Sequence, residues 1–195
     1  MKLEVLLNDL EQRGFENDEV QSERSKKYLN ITRDTGVFLA VLIKATNAKT
    51  VLEVGTSNGY STLWLASSLP DDGHIFTIDN NSHKITEASE NFRKAELDSR
   101  ITQLDGDVAD LLSKPPQNID FIFLDADRSQ YLSIAEQLFS LLKEGGLLVC
   151  DNAVSHKEEL EGFNAWIADQ SNLSTSLVPV GKGELLVYKD RSVKE

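Results

Sequence analysis

The sequence predicts an α/β fold: a mostly parallel sheet of seven strands with helices on both faces and an antiparallel hairpin at the C-terminal end. Three observations predict it. From residue 50 to residue 170 short apolar runs alternate with helical patterns, each run ends in a glycine or an acidic residue, and the last two strand-like runs are separated only by Gly181-Lys182-Gly183. Strands alternating with helices at this pace are joined by right-handed crossovers, which lay them parallel and cover both faces. Three residues are too few for a crossover, so the final pair is expected to be a hairpin.

In chain order, Leu3, Leu6, Leu7 and Leu10 recur at helical spacing and Gly14 stands where a helix-ending glycine would, which predicts an amphipathic helix over residues 2–13. Residues 15–27 are charged and weakly patterned, and read as a second helix or a flexible arm. Thr32 or Asp34 caps a helix whose apolar set is Val37, Phe38, Val41, Leu42 and Ala45, ending near Asn47. The first strand, from Thr50, breaks at Gly55 into a turn and a helix over residues 60–68. Further strands are expected at 74–79, 100–104, 119–124, 147–150, 174–180 and 184–189, and further helices at 82–97, 108–112, 131–142 and 156–170. Gly145-Gly146 is expected to close the helix at 131–142. No repeat or low-complexity segment interrupts the pattern.

With 195 residues the chain can build one domain with a full core, and one domain over residues 1–195 is expected. A net charge of -12 argues against a nucleic-acid or anionic-membrane surface, since either needs a basic patch. The single cysteine, Cys150, excludes an intramolecular disulfide and a cysteine-based zinc site, which suits the reducing cytoplasm. No run approaches the roughly 18 apolar residues of a membrane span, and Glu4, Asp9 and Glu11 do not suit a signal peptide.

In open sheets of this kind ligands lie beyond the carboxyl ends of the strands, and the polar residues of interest gather there. The first group is Gly55-Thr56-Ser57-Asn58-Gly59-Tyr60-Ser61, with Asp79 at the tip of the second strand. A dinucleotide site requires G-x-G-x-x-G and an acidic residue about 20 positions on. Only Gly55 is in register, and Glu53 would repel a pyrophosphate. A ribose-bearing cofactor with a zwitterionic or cationic tail, such as S-adenosylmethionine, suits these groups better. The second group is Asp125, Asp127, Asp151 and Asn152, hard oxygen donors on adjacent strand tips. They suit Mg2+ or another oxygen-binding divalent cation such as Ca2+ or Mn2+, or else they cap the helices that follow. The third group is Arg128, Tyr131, His156, Lys182 and Glu184. His156 is placed to take a proton from an acceptor hydroxyl at neutral pH, or is an exposed residue of a helix's first turn. Arg128 stays charged and cannot be a base.

Taken together, Glu53-Val54-Gly55-Thr56-Ser57-Asn58-Gly59-Tyr60-Ser61, Phe123-Leu124-Asp125-Ala126-Asp127 with Tyr131, and Gly145-Gly146-Leu147-Leu148-Val149-Cys150-Asp151-Asn152 resemble the cation-dependent O-methyltransferases, the group of catechol and caffeoyl-coenzyme A O-methyltransferases and their bacterial relatives. The resemblance spans residues 34–189, leaving 1–30 as an N-terminal helical extension. It implies the Rossmann-like class I methyltransferase fold and methyl transfer from S-adenosylmethionine to a hydroxyl of a small, catechol-like acceptor, by a homodimer. Glu53, Gly55, Gly59 and Ser61 would hold the methionine end, Asp79 the ribose, and Asp107 or Val108 the adenine. Ser57, Tyr60, Asn80, Asp125 and Asp127 complete the expected cofactor contacts. Asp125, Asp151 and Asn152 would hold the metal, and Asp125, Arg128 and His156 are the catalytic candidates.

The chain departs from this family at two places. Arg128 replaces the lysine base of the catechol enzymes, and Gly181-Lys182-Gly183-Glu184 replaces an Asp-Gly turn, with Lys182 read as a solvated hairpin tip or else as a group favouring an anionic acceptor. Two other readings are a methyltransferase of this fold with a different acceptor and no metal, and a protein that binds the cofactor without catalysis.

Overall fold

The computed structural model describes residues 2–192; residues 1 and 193–195, the outermost of the expected 1–195 domain, lie outside the described residues. One sheet contains β1 (Thr50–Val54), β2 (His74–Asp79), β3 (Ile101–Asp105), β4 (Ile119–Leu124), β5 (Leu142–Cys150), β6 (Leu173–Val178) and β7 (Glu184–Lys189), ordered β3-β2-β1-β4-β5-β7-β6. The first five strands run parallel, and β7 lies antiparallel to both β5 and β6. After β3 the chain returns to the other side of β1, so the winding direction reverses between β1 and β4. Such a reversal opens a crevice at the strand tips.

The helices are α1 (Leu3–Val20), α2 (Arg33–Thr46), α3 (Tyr60–Ala66), α4 (Ser82–Lys94), α5 (Val108–Leu111), α6 (Tyr131–Leu141) and α7 (Glu161–Ala168). They close two apolar cores, one on each face of the sheet. Alternate residues of β4 serve the two: Ile122 and Leu124 pack with α6 and α7, Phe121 and Phe123 with α1, α2 and α3. That two-sided burial is why the parallel strands read as unbroken apolar runs. Among the described residues no helix is long and apolar enough to cross a membrane.

Four expectations are corrected. The first helix does not end at Gly14 but runs to Val20, with Gly14 buried inside it. A Cβ there would lie 2.5 Å from Asn30 Nδ2, so the glycine clears space for the returning chain. Residues 15–27 are therefore neither a second helix nor a loose arm. They finish α1 and turn through a 3-10 segment, Arg24–Lys26, and the Asp18 carboxylate then accepts from the backbone N–H groups of Tyr28 and Leu29 at 2.8 and 3.0 Å. Second, α2 buries Gly36, Leu39, Ala40 and Ile43 and leaves Val37 and Val41 about half exposed. The Trp64 ring sits where a Cβ on Gly36 would be, so the small-residue face turns inward. Third, Gly145 and Gly146 lie inside β5 rather than closing a helix. Fourth, the helix expected at 156–170 is a 3-10 turn, Lys157–Leu160, followed by α7.

Two residues of β1 and its turn fix the site end of the sheet. Gly55 adopts φ +109°, and a Cβ there would lie 2.2 Å from the Asp125 carbonyl oxygen. Glu53 is fully buried, its carboxylate accepting from Ser61 Oγ and Thr77 Oγ1 at 2.6 Å and from Thr62 Oγ1. It thereby ties β1 to α3 and β2. Burial raises its pKa from 4.5 to about 7 against the pull of the three hydroxyls.

Replacing Gly55 by alanine forces both strain and a backbone clash, and is expected to cost about 3 kcal/mol, read as a fall in the denaturant midpoint. For Glu53, whose folded pKa lies above its unfolded value, the stabilising contribution is complete below the unfolded pKa and is lost as pH rises through about 7. Glu53→Gln should therefore flatten the melting-temperature profile between about pH 5 and 8, where the native protein's profile declines.

Candidate active site at the strand tips

The parallel ladder continues one residue past the strands. Gly106 N–H donates to Asp79 O at 2.9 Å, Gly55 N–H to Ile78 O at 2.9 Å, Asp125 N–H to Val54 O at 3.0 Å and Asp151 N–H to Leu124 O at 3.0 Å. Register thus aligns Asp79, Gly55, Asp125 and Asp151 along one edge. Above them opens a cavity of about 610 Å³, within the range typical of small-ligand sites.

On one side of the edge Asp79 organises the glycine turn. Its carboxylate accepts from Ser57 N–H at 2.8 Å and Asn81 N–H at 2.9 Å, and Ser57 Oγ donates to the Tyr28 carbonyl at 2.7 Å. Asp107 caps α5 through Ala109 N–H at 3.0 Å, with Val108 buried beside it and Asn80 exposed on the rim. Every residue expected to contact the cofactor lines the cavity except Glu53 and Gly59. Glu53 lies behind the wall, its oxygens engaged by hydroxyls, and acts by holding Ser61, which does line it. Gly59 has φ +86°, and a Cβ there would meet the Phe92 ring, so the turn has no room for a side chain at this position.

Asn58, Tyr60 and Gln130 line the cavity, and two buried atoms among them, Asn58 Nδ2 and Gln130 Oε1, have no hydrogen-bond partner among the described residues. Such a group costs about 1–3 kcal/mol unless a ligand or water completes it. A polar, ribose-bearing cofactor fits this lining.

On the other side the edge is acidic. Asp151 is buried and accepts from Asn152 N–H at 2.6 Å, and Asn152, held at φ +66°, donates from Nδ2 to Asp125 Oδ1 at 3.0 Å. The three residues expected to hold a metal therefore meet. Burial, and then the Asp151 charge, pushes Asp125 up to about 8, while Lys182 and Arg128 pull it back. Burial raises Asp151 as well. Two carboxylates this reluctant to ionise together suit a divalent cation. Half a turn of the Asn152 amide presents Oδ1, an oxygen donor, toward Asp125. Among the described residues no three carboxylate, histidine or cysteine side chains stand at ligand spacing, so a cation here would have to be met by two carboxylates and an amide.

The remaining candidates separate. Asp127 is exposed and caps the 3-10 turn Arg128–Gln130 by accepting from Ser129 N–H at 3.1 Å. Arg128 is buried, with Nε donating to Glu159 at 2.8 Å. Tyr131 braces the turn, its Oη accepting from Ala126 N–H at 2.7 Å. His156 lines the cavity with Nδ1 2.8 Å from Ser155 Oγ, and Lys182 lines it from the hairpin. Sequence reasoning missed the stretch from Tyr28 to Ile31 and Lys84, all on the wall. The signal was the absence of a helical stripe in a segment that still carries Tyr28 and Ile31, which suits a strap over a pocket.

A family model described as O-methyltransferase matches residues 13–190. Tapetum-specific methyltransferase 1 of Arabidopsis thaliana is 29% identical over 191 residues, covering 85% of this chain and 82% of that protein. A caffeoyl-CoA O-methyltransferase of Populus kitakamiensis is 35% identical over 147 residues, covering 70% and 62%. The structure of an O-methyltransferase from Bacillus cereus in complex with SAH superposes with a TM-score of 0.80 over 95% of this chain and 91% of that one, at 23% identity, and shares the fold. With the sheet order, the cofactor-sized cavity and these matches together, the chain belongs to the S-adenosylmethionine-dependent O-methyltransferase family, among whose members are the caffeoyl-CoA O-methyltransferases.

Proposed function

We propose that this enzyme methylates one hydroxyl of a small catechol-like aromatic, with Asp125, Asp151 and Asn152 holding a divalent cation, Mg2+ or alternatively Ca2+ or Mn2+. The observation that carries the reading is the register that sets Asp125 beside Asp151, with the Asn152 side-chain amide 3.0 Å from Asp125, next to the wall that suits the cofactor. When bound, such an ion draws electron density from a diol and lowers the pKa of the hydroxyl that is to be methylated.

The chain's own residues orient and deprotonate. Asp79, Ser57 and Ser61 orient the cofactor, and the strap at Tyr28 to Ile31, tied to Ser57 and Glu87, covers the cofactor side and limits water. Arg128 is not the base, because its guanidinium stays charged and is tied to Glu159. In the tautomer whose Nδ1–H donates to Ser155 Oγ, the His156 Nε2 carries the lone pair that would receive the hydroxyl proton. Displacement then needs the acceptor oxygen and methyl carbon held near contact, which is a matter of positioning. Arg24, Lys84 and Lys182 on the wall favour an acceptor carrying an acidic group.

Residues 1–30 are read as part of the same single domain as 34–189, supported by Leu6 and Leu10 packing in one core with Leu39 and Leu63. That packing uses up the apolar face of α1 on which the sequence-based expectation of a homodimer drew. The half-exposed Val37 and Val41 of α2 support a dimer through that face instead. A second functional reading, cofactor binding without catalysis, is favoured only by Arg128.

Chelation with EDTA, or Asp151→Ala, should abolish methylation of catechol while calorimetric affinity for S-adenosylmethionine changes less than about threefold. Full turnover in chelator would point to the metal-free reading with another acceptor. His156→Ala should lower kcat by about 100-fold and remove the acid limb of the pH–rate profile, whereas an unchanged profile removes His156 from the mechanism.

A further inference from the structure

The acidic edge does not stop at Asp151. The antiparallel ladder of β5 and β7 pairs Cys150 with Leu185, so one step further on sets Asp151 against Glu184, just as the parallel ladder of β4 and β5 sets Asp125 against Asp151. Paired residues in adjacent strands point to the same face. Glu184 is fully buried, its Oε1 accepts from Thr35 Oγ1 at 3.0 Å, and its Oε2 has no partner among the described residues. The two carboxyl groups, Glu184 and Asp151, are close enough to interact directly.

The hairpin is built to hold this group in place. Gly181 has φ +56°, and a Cβ there would lie 2.1 Å from Thr35 Oγ1; at Gly183 a Cβ would lie 2.3 Å from Val154 Cγ2. Only a turn with glycine at both positions passes between the start of α2 and the segment after Asp151. Ala153 N–H also donates to Gly183 O at 2.8 Å, locking the two segments together. The unusual Gly181-Lys182-Gly183-Glu184 sequence thus delivers a carboxylate to Asp151 and fixes it there through Thr35.

We infer that Glu184 is a positioning residue of the cation site, its Oε2 accepting a hydrogen bond from a water on the ion that Asp151 helps to hold. A carboxyl pair within hydrogen-bond reach needs one hydrogen between its oxygens, and beside a cation on Asp151 a water on that ion would supply it. Removing an outer partner that orients a liganding carboxylate typically costs about 10- to 100-fold in metal affinity. The inference rests on the cation reading proposed above and adds to it a third acidic group, anchored on α2.

Mn2+ titration by calorimetry and by the paramagnetic relaxation of bound water tests it on the full chain. In the wild type Mn2+ should bind and retain a slowly exchanging water. Glu184→Gln keeps the shape and the Thr35 hydrogen bond, and should bind Mn2+ about 10- to 100-fold more weakly with an altered relaxation signature. If instead Glu184 merely donates a proton to Asp151, the glutamine amide is a faithful replacement and affinity stays unchanged, which overturns the inference while leaving the cation site intact. A wild type that binds no Mn2+ overturns both. Should Glu184→Gln not fold, Thr35→Val and Thr35→Ser decide: weaker binding in the first with wild-type binding in the second supports the inference, and equal binding in both overturns it.

Discussion

The structure depends on how closely β1 and β4 approach at their tips. Parallel pairing brings Val54 beside Leu124, and the next step brings Gly55 against the Asp125 carbonyl at a separation that leaves no room for a side chain. That contact lies at the reversal of winding, where a parallel sheet opens outward. It places the turn that faces the cofactor and the first of the acidic residues within one row. The two halves of the site are adjacent because two backbones touch.

Carboxylates serve different ends at this end of the sheet. Glu53 and Asp125 both have raised pKa values, to about 7 and about 8, and burial is the leading cause for each. Glu53 is surrounded by the hydroxyls of Ser61, Thr62 and Thr77, and these make it a tie between β1, β2 and α3. Asp125 faces Asp151, and its nearest donor is a single amide hydrogen from Asn152. A carboxylate satisfied by protein donors holds the fold together, and one left facing another carboxylate is available to a cation.

Much of this was legible in the sequence. The seven strands were, because a strand buried on both faces must be apolar throughout and a parallel sheet must alternate with helices. The residues at the strand tips followed from the strand ends alone. What the sequence concealed was set by tertiary packing. Both faces of α2 carry apolar residues, and only the Trp64 ring against Gly36 decides that Leu39 and Ile43 go inward. Gly14 stands where a cap would, yet it makes room for the Asn30 side chain, and Gly59, at the start of α3, leaves room for Phe92. Glu184 was visible as a polar residue after a turn, but its meeting with Asp151 depends on the register of β5 and β7, which a sequence does not display.

The central claim is that the acidic edge is a cation site next to a methyl-donor site. Anomalous diffraction from crystals soaked with Mn2+ and S-adenosylmethionine tests it most directly. The account predicts one strong peak bounded by Asp125, Asp151 and Asn152, with the cofactor lying along the Asp79 side of the cavity. Cofactor density there with no peak at the three residues, or with the ion bound elsewhere, would contradict it.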